Sequence, residues 1–359
     1  MIKFFRKIRY DLMEKNKTGK PAFAAGRYFK YAIGEIVLVV LGILIALSLN
    51  NWNEKENQDA KFDKLIDALE NEIIENIDEA NYEIEWYRMI KINASKILSN
   101  KISRKQFLED RNLRDLIGMN RLDINSDDIN SLVNRQEDIP DNYKALIPHL
   151  KNYLKFENRY NQNQAEYGKQ VTEYENYLIK TQPWYALSYA NVLDSIALTK
   201  QVDFYLNSTI YKNFLSNYMY GYSYSLREMI GLRSASLAIL TEIKRVREDF
   251  DTDDIKKLFS EYNLTSYSEK TCNDLKESNI NFDEHATYIP LYNSTNETLS
   301  VRWKDDEDVS VKEIQLNPGE ITINPVSKRL QENALIEIIF NRKCTKKYQA
   351  KTNGYLLIK

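Results

Sequence analysis

The residues that most often carry enzyme chemistry are sparse and widely separated in this chain. Its two histidines, His149 and His285, lie far apart in the sequence, which excludes the short spacings of metalloprotease and zinc-finger sites. A serine–histidine–aspartate triad does not depend on sequence order, so spacing alone leaves that arrangement open. Each histidine stands alone in its part of the chain, and we interpret both as polar surface residues.

Phosphate- and metal-binding motifs are not found in the sequence. The 10 glycines are spaced too widely for a dinucleotide fingerprint or a P-loop. The acidic run from Asp249 to Asp254 resembles the start of a calcium loop, but it lacks the glycine at the sixth position and the glutamate at the twelfth. We interpret this run as a helix end followed by a linker. The sequence therefore predicts no catalytic residue, no cofactor and no metal site.

Tyrosine is the abundant functional side chain, with 25 copies. Tyr218, Tyr220, Tyr222 and Tyr224 alternate around Gly221, and on a helix they divide between two opposite faces. Exposed tyrosines can stack on sugars or on the side chains of a partner, whereas buried ones pack between helices. We take Tyr220, Tyr222 and Tyr224 as a candidate binding surface, with interhelical packing as the alternative.

Near the N-terminus, residues 32–51 are apolar enough to predict one transmembrane helix. Residues 1–31 carry nine basic and two acidic side chains, so the positive-inside rule places them in the cytoplasm. The rest of the chain, with a net charge of −9, is then periplasmic. That mildly acidic balance argues against nucleic-acid binding. A cleaved signal peptide is the alternative, although the basic and apolar stretches are both long for one.

The first 13 residues form a second predicted membrane feature. Their apolar side chains fall on one helical face and their basic side chains largely on the other, which is typical of an amphipathic helix on the bilayer surface. A disordered basic tail is the alternative. The predicted partner of this basic segment is the lipid bilayer.

One face of the transmembrane helix combines an ionisable residue with small ones. Glu35 lies inside the apolar span and shares a face with Val39, Gly42 and Ala46. Gly42 and Ala46 form a small-xxx-small pair that permits close approach of helices. This face predicts contact with a second copy or with another membrane protein. The alternative is that the Glu35 carboxylate reaches the headgroups near Arg27 and Lys30.

The first 55 residues resemble a known bacterial family. The resemblance rests on Tyr31-Ala-Ile-Gly-Glu-Ile-Val-Leu-Val-Val-Leu-Gly-Ile-Leu-Ile-Ala-Leu47, on Asn50-Asn-Trp-Asn-Glu54, and on the initial Met-Ile-Lys-Phe-Phe-Arg-Lys-Ile-Arg. The family consists of uncharacterised single-pass membrane proteins of Gram-negative bacteria, classed as a domain of unknown function. The family has no established activity, so the resemblance implies an inner-membrane location and says nothing of function.

Outside the membrane, hydrophobic periodicity predicts long helices between residues 54 and 250. The first has an apolar seam at intervals of three and four residues: Phe62, Leu65, Leu69, Ile73, Ile77, Ala80, Ile84 and Tyr87. A second helix is predicted over 140–180, with tyrosine at every seventh position from 153 to 174 and a polar middle. A third starts near Asn207 or Ser208 and ends near Phe250. Together they predict an antiparallel bundle.

After the bundle we predict a loop-rich linker over 251–285 and a small β-sandwich over 286–359. The strands expected in it are Tyr288–Tyr292, Leu299–Lys304, Val309–Leu316, Glu320–Asn324, Ala334–Phe340, Lys347–Lys351 and Gly354–Ile358. The fold class is therefore α+β. Cys272 precedes this domain and Cys344 follows its fifth strand, and in an oxidising periplasm we expect the two to form a disulfide. Two isolated thiols are the alternative.

Three functions remain open from the sequence. We expect a non-enzymatic, membrane-anchored periplasmic binding or scaffold protein, in which the bundle is a stalk and the sandwich presents a surface. A sensor or regulatory subunit that signals through a partner membrane protein is the first alternative. An envelope hydrolase with a site between bundle and sandwich is the second.

Overall fold

The computed structural model is a mixed structure of helices and strands. It describes residues 24–114, 116–119, 124–190, 192–272, 288–304, 311–324, 334–350 and 353–359. Its contacts divide the chain into two units, 1–64 and 65–359, each of which is described by itself. The predicted amphipathic segment and His285 lie outside the described residues.

The first helix, α1, begins at Ala24 and ends at Leu98, and the boundary between the two units lies within it, after Lys64. Its most apolar 18-residue window has a mean hydropathy of 2.4, and none of that window is buried. Among the described residues, it is the one helix long and apolar enough to span a membrane, judged by length and composition.

In the second unit, α1 buries the aliphatic seam that its spacing predicts. Six residues of the seam are buried: Leu69, Ile73, Ile77, Ala80, Ile84 and Tyr87. They recur at three- and four-residue steps because 3.6 residues complete one helical turn, which keeps them on one side.

Seven further helices belong to the second unit as described. They are α2 (Arg104–Glu109), α3 (Asp127–Asn134), α4 (Leu146–Thr181), α5 (Trp184–Tyr189), α6 (Ser195–Asn207), α7 (Thr209–Arg247) and α8 (Thr252–Glu261). Tyr174 of α4 contacts Tyr211 of α7, and Tyr167 contacts Tyr218, so the two helices run antiparallel. Helix α7 ends at Arg247, three residues before the predicted end.

The predicted loop-rich linker is wrong over its first half. Helix α8 begins there with a capping box, in which the Asp251 side chain accepts from the backbone N–H of Asp254 and the Asp254 side chain from that of Asp251. Two short strands follow, β1 (Thr265–Ser266) and β2 (Glu269–Lys270). Each has two residues and depends on its partner strand for pairing, so the local sequence carries little signal for it.

Seven strands follow in the C-terminal part. They are β3 (Pro290–Asn293), β4 (Leu299–Lys304), β5 (Val311–Leu316), β6 (Ile321–Ile323), β7 (Leu335–Phe340), β8 (Lys343–Gln349) and β9 (Gly354–Ile358). One sheet has the order β1-β9-β3-β6, and the other has the order β2-β8-β7-β4-β5. Strand β8 begins four residues earlier than predicted, so Cys344 lies within this strand and not before it.

Both sheets contribute to one hydrophobic cluster. Leu291 and Leu356 come from the first sheet, while Val301, Trp303 and Ile338 come from the second. Burial of these side chains is the main stabilising contribution available to so small a β region.

The C-terminal half of α7 joins the helices to the sheets. Residues 228–243 are buried without interruption, and the Ser234 hydroxyl donates to the Tyr288 carbonyl oxygen at 2.8 Å. Further along, the Arg245 guanidinium donates to the Gly319 carbonyl oxygen at 2.7 Å. The helical and β parts of the second unit therefore share a core.

Candidate functional site

A cluster of tyrosines surrounds a buried glutamate between α1, α4 and α7. The Tyr222 hydroxyl donates to the carboxylate of Glu83, and both residues are fully buried. The Tyr222 ring lies 5.1 Å from that of Tyr87, 5.6 Å from that of Tyr167 and 5.5 Å from that of Tyr218, measured between centroids. The Tyr218 hydroxyl in turn donates to the Gly118 carbonyl oxygen at 2.8 Å.

These tyrosines stay protonated at physiological pH. Burial raises the pKa of Tyr222 far above its usual range, and the nearby Glu83 charge adds to the shift. Burial likewise raises the pKa of Tyr218, and it raises that of Tyr87 to about 12. A phenol in this state is a hydrogen-bond donor and not a nucleophile, so the cluster is suited to holding α1 and α7 in register.

The candidate tyrosine surface on α7 is only partly on the surface. Tyr220 is 64% exposed and Tyr224 is half-buried, and their hydroxyls lie 2.7 Å apart. The Arg227 guanidinium lies 5.1 Å from the centre of the Tyr224 ring. Tyr222 points to the opposite side and is fully buried, so its place in the predicted binding surface is wrong.

The interpretation of His149 as a surface residue is also wrong. His149 lies on α4 and is 5% exposed, and burial lowers its pKa to about 4. The imidazole is therefore neutral at pH 7. Its Nδ1 atom has no hydrogen-bond partner within the described part of the chain, so no carboxylate orients it as a triad would require.

Two buried charged side chains, those of Glu72 and Arg233, form hydrogen bonds that connect different elements of the fold. The Glu72 carboxylate accepts from the backbone N–H groups of Asp128 and Ile129 at 3.0 and 3.2 Å, and so it caps the start of α3 from another helix. The Arg233 guanidinium donates to the side-chain oxygens of Asn81 and Asn353 at 2.9 and 2.8 Å. Arg233 thereby ties α7 both to α1 and to the turn before β9.

The two cysteines are joined. Cys272 and Cys344 form a disulfide with a Cα–Cα distance of 6.2 Å across a sequence separation of 72 residues. This is the pair that the sequence analysis named. The bridge connects the end of the β2 segment to β8, the strand with which β2 pairs.

In the first unit, the predicted interface residues lie on an exposed helix. Glu35, Val39, Gly42 and Ala46 are all exposed, and a Cβ atom added at Gly42 would meet nothing within 4 Å. A helix–helix interface on this face stays a prediction.

An open groove, which the sequence did not predict, runs along α4 beside α7. Its α4 wall follows the helical repeat from Gln164 to Lys180. The facing wall includes Phe214 of α7 and Met119. The signal available in the sequence was the polar middle of the predicted helix, which the structure places beside this groove.

Within the described residues, no group of three or more histidine, cysteine, aspartate or glutamate side chains could hold a metal ion. No protein-family model, no curated protein and no solved structure shows significant similarity to the chain.

Proposed function

We propose that this chain is a non-enzymatic binding or scaffold protein, anchored in the bacterial inner membrane by α1 with residues beyond the span in the periplasm. The observation that carries the proposal is the apolar window of mean hydropathy 2.4 at the N-terminal end of α1. The basic balance of residues 1–31 supports a cytoplasmic N-terminus. The Cys272–Cys344 disulfide supports an oxidising compartment for the folded body.

The proposal includes a finer description of that body. We take α1, α4 and α7 as an antiparallel helical bundle, supported by the Tyr87–Tyr222 and Tyr167–Tyr218 contacts. We take the two sheets as a small β-sandwich, supported by the hydrophobic cluster that they share. The resemblance of the first 55 residues to a family of single-pass membrane proteins is consistent with the anchor.

The experiment for location is a fusion after Lys359 of a reporter that is active only outside the cytoplasm. The fusion should be active, and the full chain should remain with membranes after alkaline washing, because a spanning helix is not released by removing electrostatic contacts. Release of a soluble form that starts near residue 49 would show a cleaved signal and would overturn the anchor.

A partner in the membrane is the second part of the proposal, and it includes the sensor or regulatory alternative. Glu35 within an apolar stretch favours such a partner, because an ionisable group at that depth is stabilised by contact with protein. Single cysteines at Val39, Gly42 and Ala46 should crosslink more than cysteines at Val40, Leu41 and Leu44. The native cysteines do not interfere, since they are paired. Equal crosslinking of the two sets would rule out an interface on this face.

A further inference from the structure

The groove beside α4 is long, open and lined by side chains of mixed chemistry. Its α4 wall repeats every fourth residue: Gln164, Gly168, Thr172, Asn176 and Lys180. At 1.5 Å per residue this stripe is about 24 Å long. A groove of that length and openness fits an extended polymer better than a compact small molecule.

Two aromatic rings in the groove are held in fixed positions. Tyr177 and Phe214 are both half-buried, with ring centroids 5.6 Å apart. Tyr177 also stacks at 6.3 Å on Phe204, and Phe214 packs at 5.3 Å against Tyr174. Rings braced by other rings lose little conformational entropy when a ligand stacks on them.

Three polar side chains of the groove are available for a ligand. Glu173, Asn176 and Lys180 are exposed and form no hydrogen bond or ion pair with the described part of the chain. An amide presents donors and acceptors together, a carboxylate accepts and an ammonium donates. This mixture suits a ligand rich in hydroxyl groups, each of which both donates and accepts.

We propose that the α4 groove binds a glycan chain, with the Tyr177 ring stacking on a sugar face and Asn176 hydrogen-bonding to its hydroxyls. This inference rests on the proposed function, because it names the ligand class of the proposed binding protein. An amphipathic helix fits less well, since it needs a continuous apolar stripe and the fourth-residue stripe of α4 is polar at every position except Gly168. A peptide strand finds no sheet edge among the residues that line this groove, and a polyanion would meet the Glu173 carboxylate as well as the ammonium groups of Lys169 and Lys180.

The test uses the full chain in detergent micelles, with chitotetraose and cellotetraose as soluble probes and purified peptidoglycan sacculi in a pull-down assay. The wild type should bind at least one probe. Tyr177→Ala should weaken that binding about tenfold, which corresponds to the loss of one aromatic contact. Asn176→Ala should weaken it about fivefold, as expected for one hydrogen bond.

Matched controls keep the result interpretable. Tyr82→Ala removes a tyrosine that is 56% exposed and lies outside the groove, and Asn207→Ala removes an exposed asparagine of α6. Both should bind like the wild type. Tyr177→Phe keeps the ring and should retain most of the affinity, and thermal unfolding of each variant reports whether it is folded.

Two results would overturn the glycan inference. One is a folded wild type that binds none of the probes. The other is binding that Tyr177→Ala and Asn176→Ala leave unchanged. Either result leaves the membrane anchor standing, whereas a soluble, cleaved form in the reporter experiment defeats the proposed function irrespective of glycan binding.

Discussion

The aliphatic seam of α1 and the tyrosine-lined interface of α4 and α7 lie in one unit but are built differently. The α1 seam buries Leu69, Ile73 and Ile77, whose only requirement is removal from water. The α4 face instead buries tyrosine at every seventh position, namely Tyr153, Tyr160, Tyr167 and Tyr174. A buried tyrosine brings a hydroxyl as well as a ring into the interface. The Tyr160 hydroxyl accepts from the Gln164 side chain at 2.6 Å, whereas that of Tyr153 has no hydrogen-bond partner among the described residues.

This difference distinguishes residues that stabilise the fold from residues that we propose to bind a ligand. The aliphatic seam can be replaced by other apolar side chains of similar volume. The tyrosine-lined interface fixes particular hydrogen bonds, such as that from Tyr222 to Glu83, and one of its edges opens into the α4 groove. We therefore expect stability to depend most on the aliphatic seam of α1. Ligand binding should depend on the α4 groove, at the edge of the tyrosine-lined interface.

The largest stability effect is expected in the aliphatic seam. Ile77→Ala should lower the free energy of unfolding by about 3 kcal/mol, because it leaves a cavity at a site with no exposed surface. Ile92→Ala is the matched control on the same helix, where the side chain is 57% exposed, and it should change stability little. Chemical denaturation of both variants checks the pair, and equal losses would contradict the burial of the seam.

The contrast also explains which elements could be predicted from the sequence. The α1 seam and strand β4 follow a regular period, so local spacing was enough to predict them. Strand β9 is instead a short, fully buried apolar run, and a run of that length also predicts a strand. The burial of His149 could not be predicted, because it depends on what packs against α4. Helices α5 and α6 have only short apolar patterns, which are too short to predict a helix. Strand β2 forms because it pairs with β8, and its own two residues carry no such signal. The groove required the relative placement of two helices, which periodicity does not provide.

Titration of His149 should change the free energy of unfolding by an amount similar to that of Ile77→Ala, in a pH-dependent way. Burial lowers the pKa of His149 in the folded chain from its usual value of 6.5 to about 4. Between those values the unfolded chain binds a proton that the folded chain does not, so stability falls as pH falls, by up to about 3 kcal/mol. Replacing the imidazole by an amide in His149→Gln should remove this dependence.

The free energies of unfolding of the wild type and His149→Gln are to be compared at each pH, because other titrating groups change stability in the opposite direction. Burial raises the pKa of Glu72 and of Glu242, and a raised carboxyl pKa favours folding as pH falls. The stability of the wild type relative to the variant should decrease from pH 7 to pH 4. A constant difference would show that His149 titrates normally.

A smaller effect is expected from the hydroxyl of Tyr222. Tyr222→Phe should destabilise the fold by about 2 kcal/mol, because the buried Glu83 carboxylate loses a donor. Tyr220→Phe removes a hydroxyl whose one hydrogen bond among the described residues is to the half-buried Tyr224, and it should be close to neutral. Thermal unfolding of the two variants distinguishes them, and a neutral Tyr222→Phe would contradict the role of the cluster.

The smallest effect is expected at the exposed ring of α7. Tyr220→Ala should cost less than about 0.5 kcal/mol, as is usual for an exposed position. It should also leave glycan binding unchanged, since Tyr220 lies outside the α4 groove. Loss of binding in this variant would show that the ligand binds at the outer face of α7 and not in the α4 groove.

The proposed function places a folded, membrane-anchored body in an oxidising compartment, and the state of the two cysteines in cells tests that location. Cells are quenched in acid, free thiols are alkylated, and peptides containing Cys272 and Cys344 are mapped without reduction. We expect one linked peptide pair and no alkylation at either position, in agreement with the Cα–Cα distance of 6.2 Å. Alkylation of both cysteines in freshly quenched cells would contradict the periplasmic location and the bridge between the β2 segment and β8.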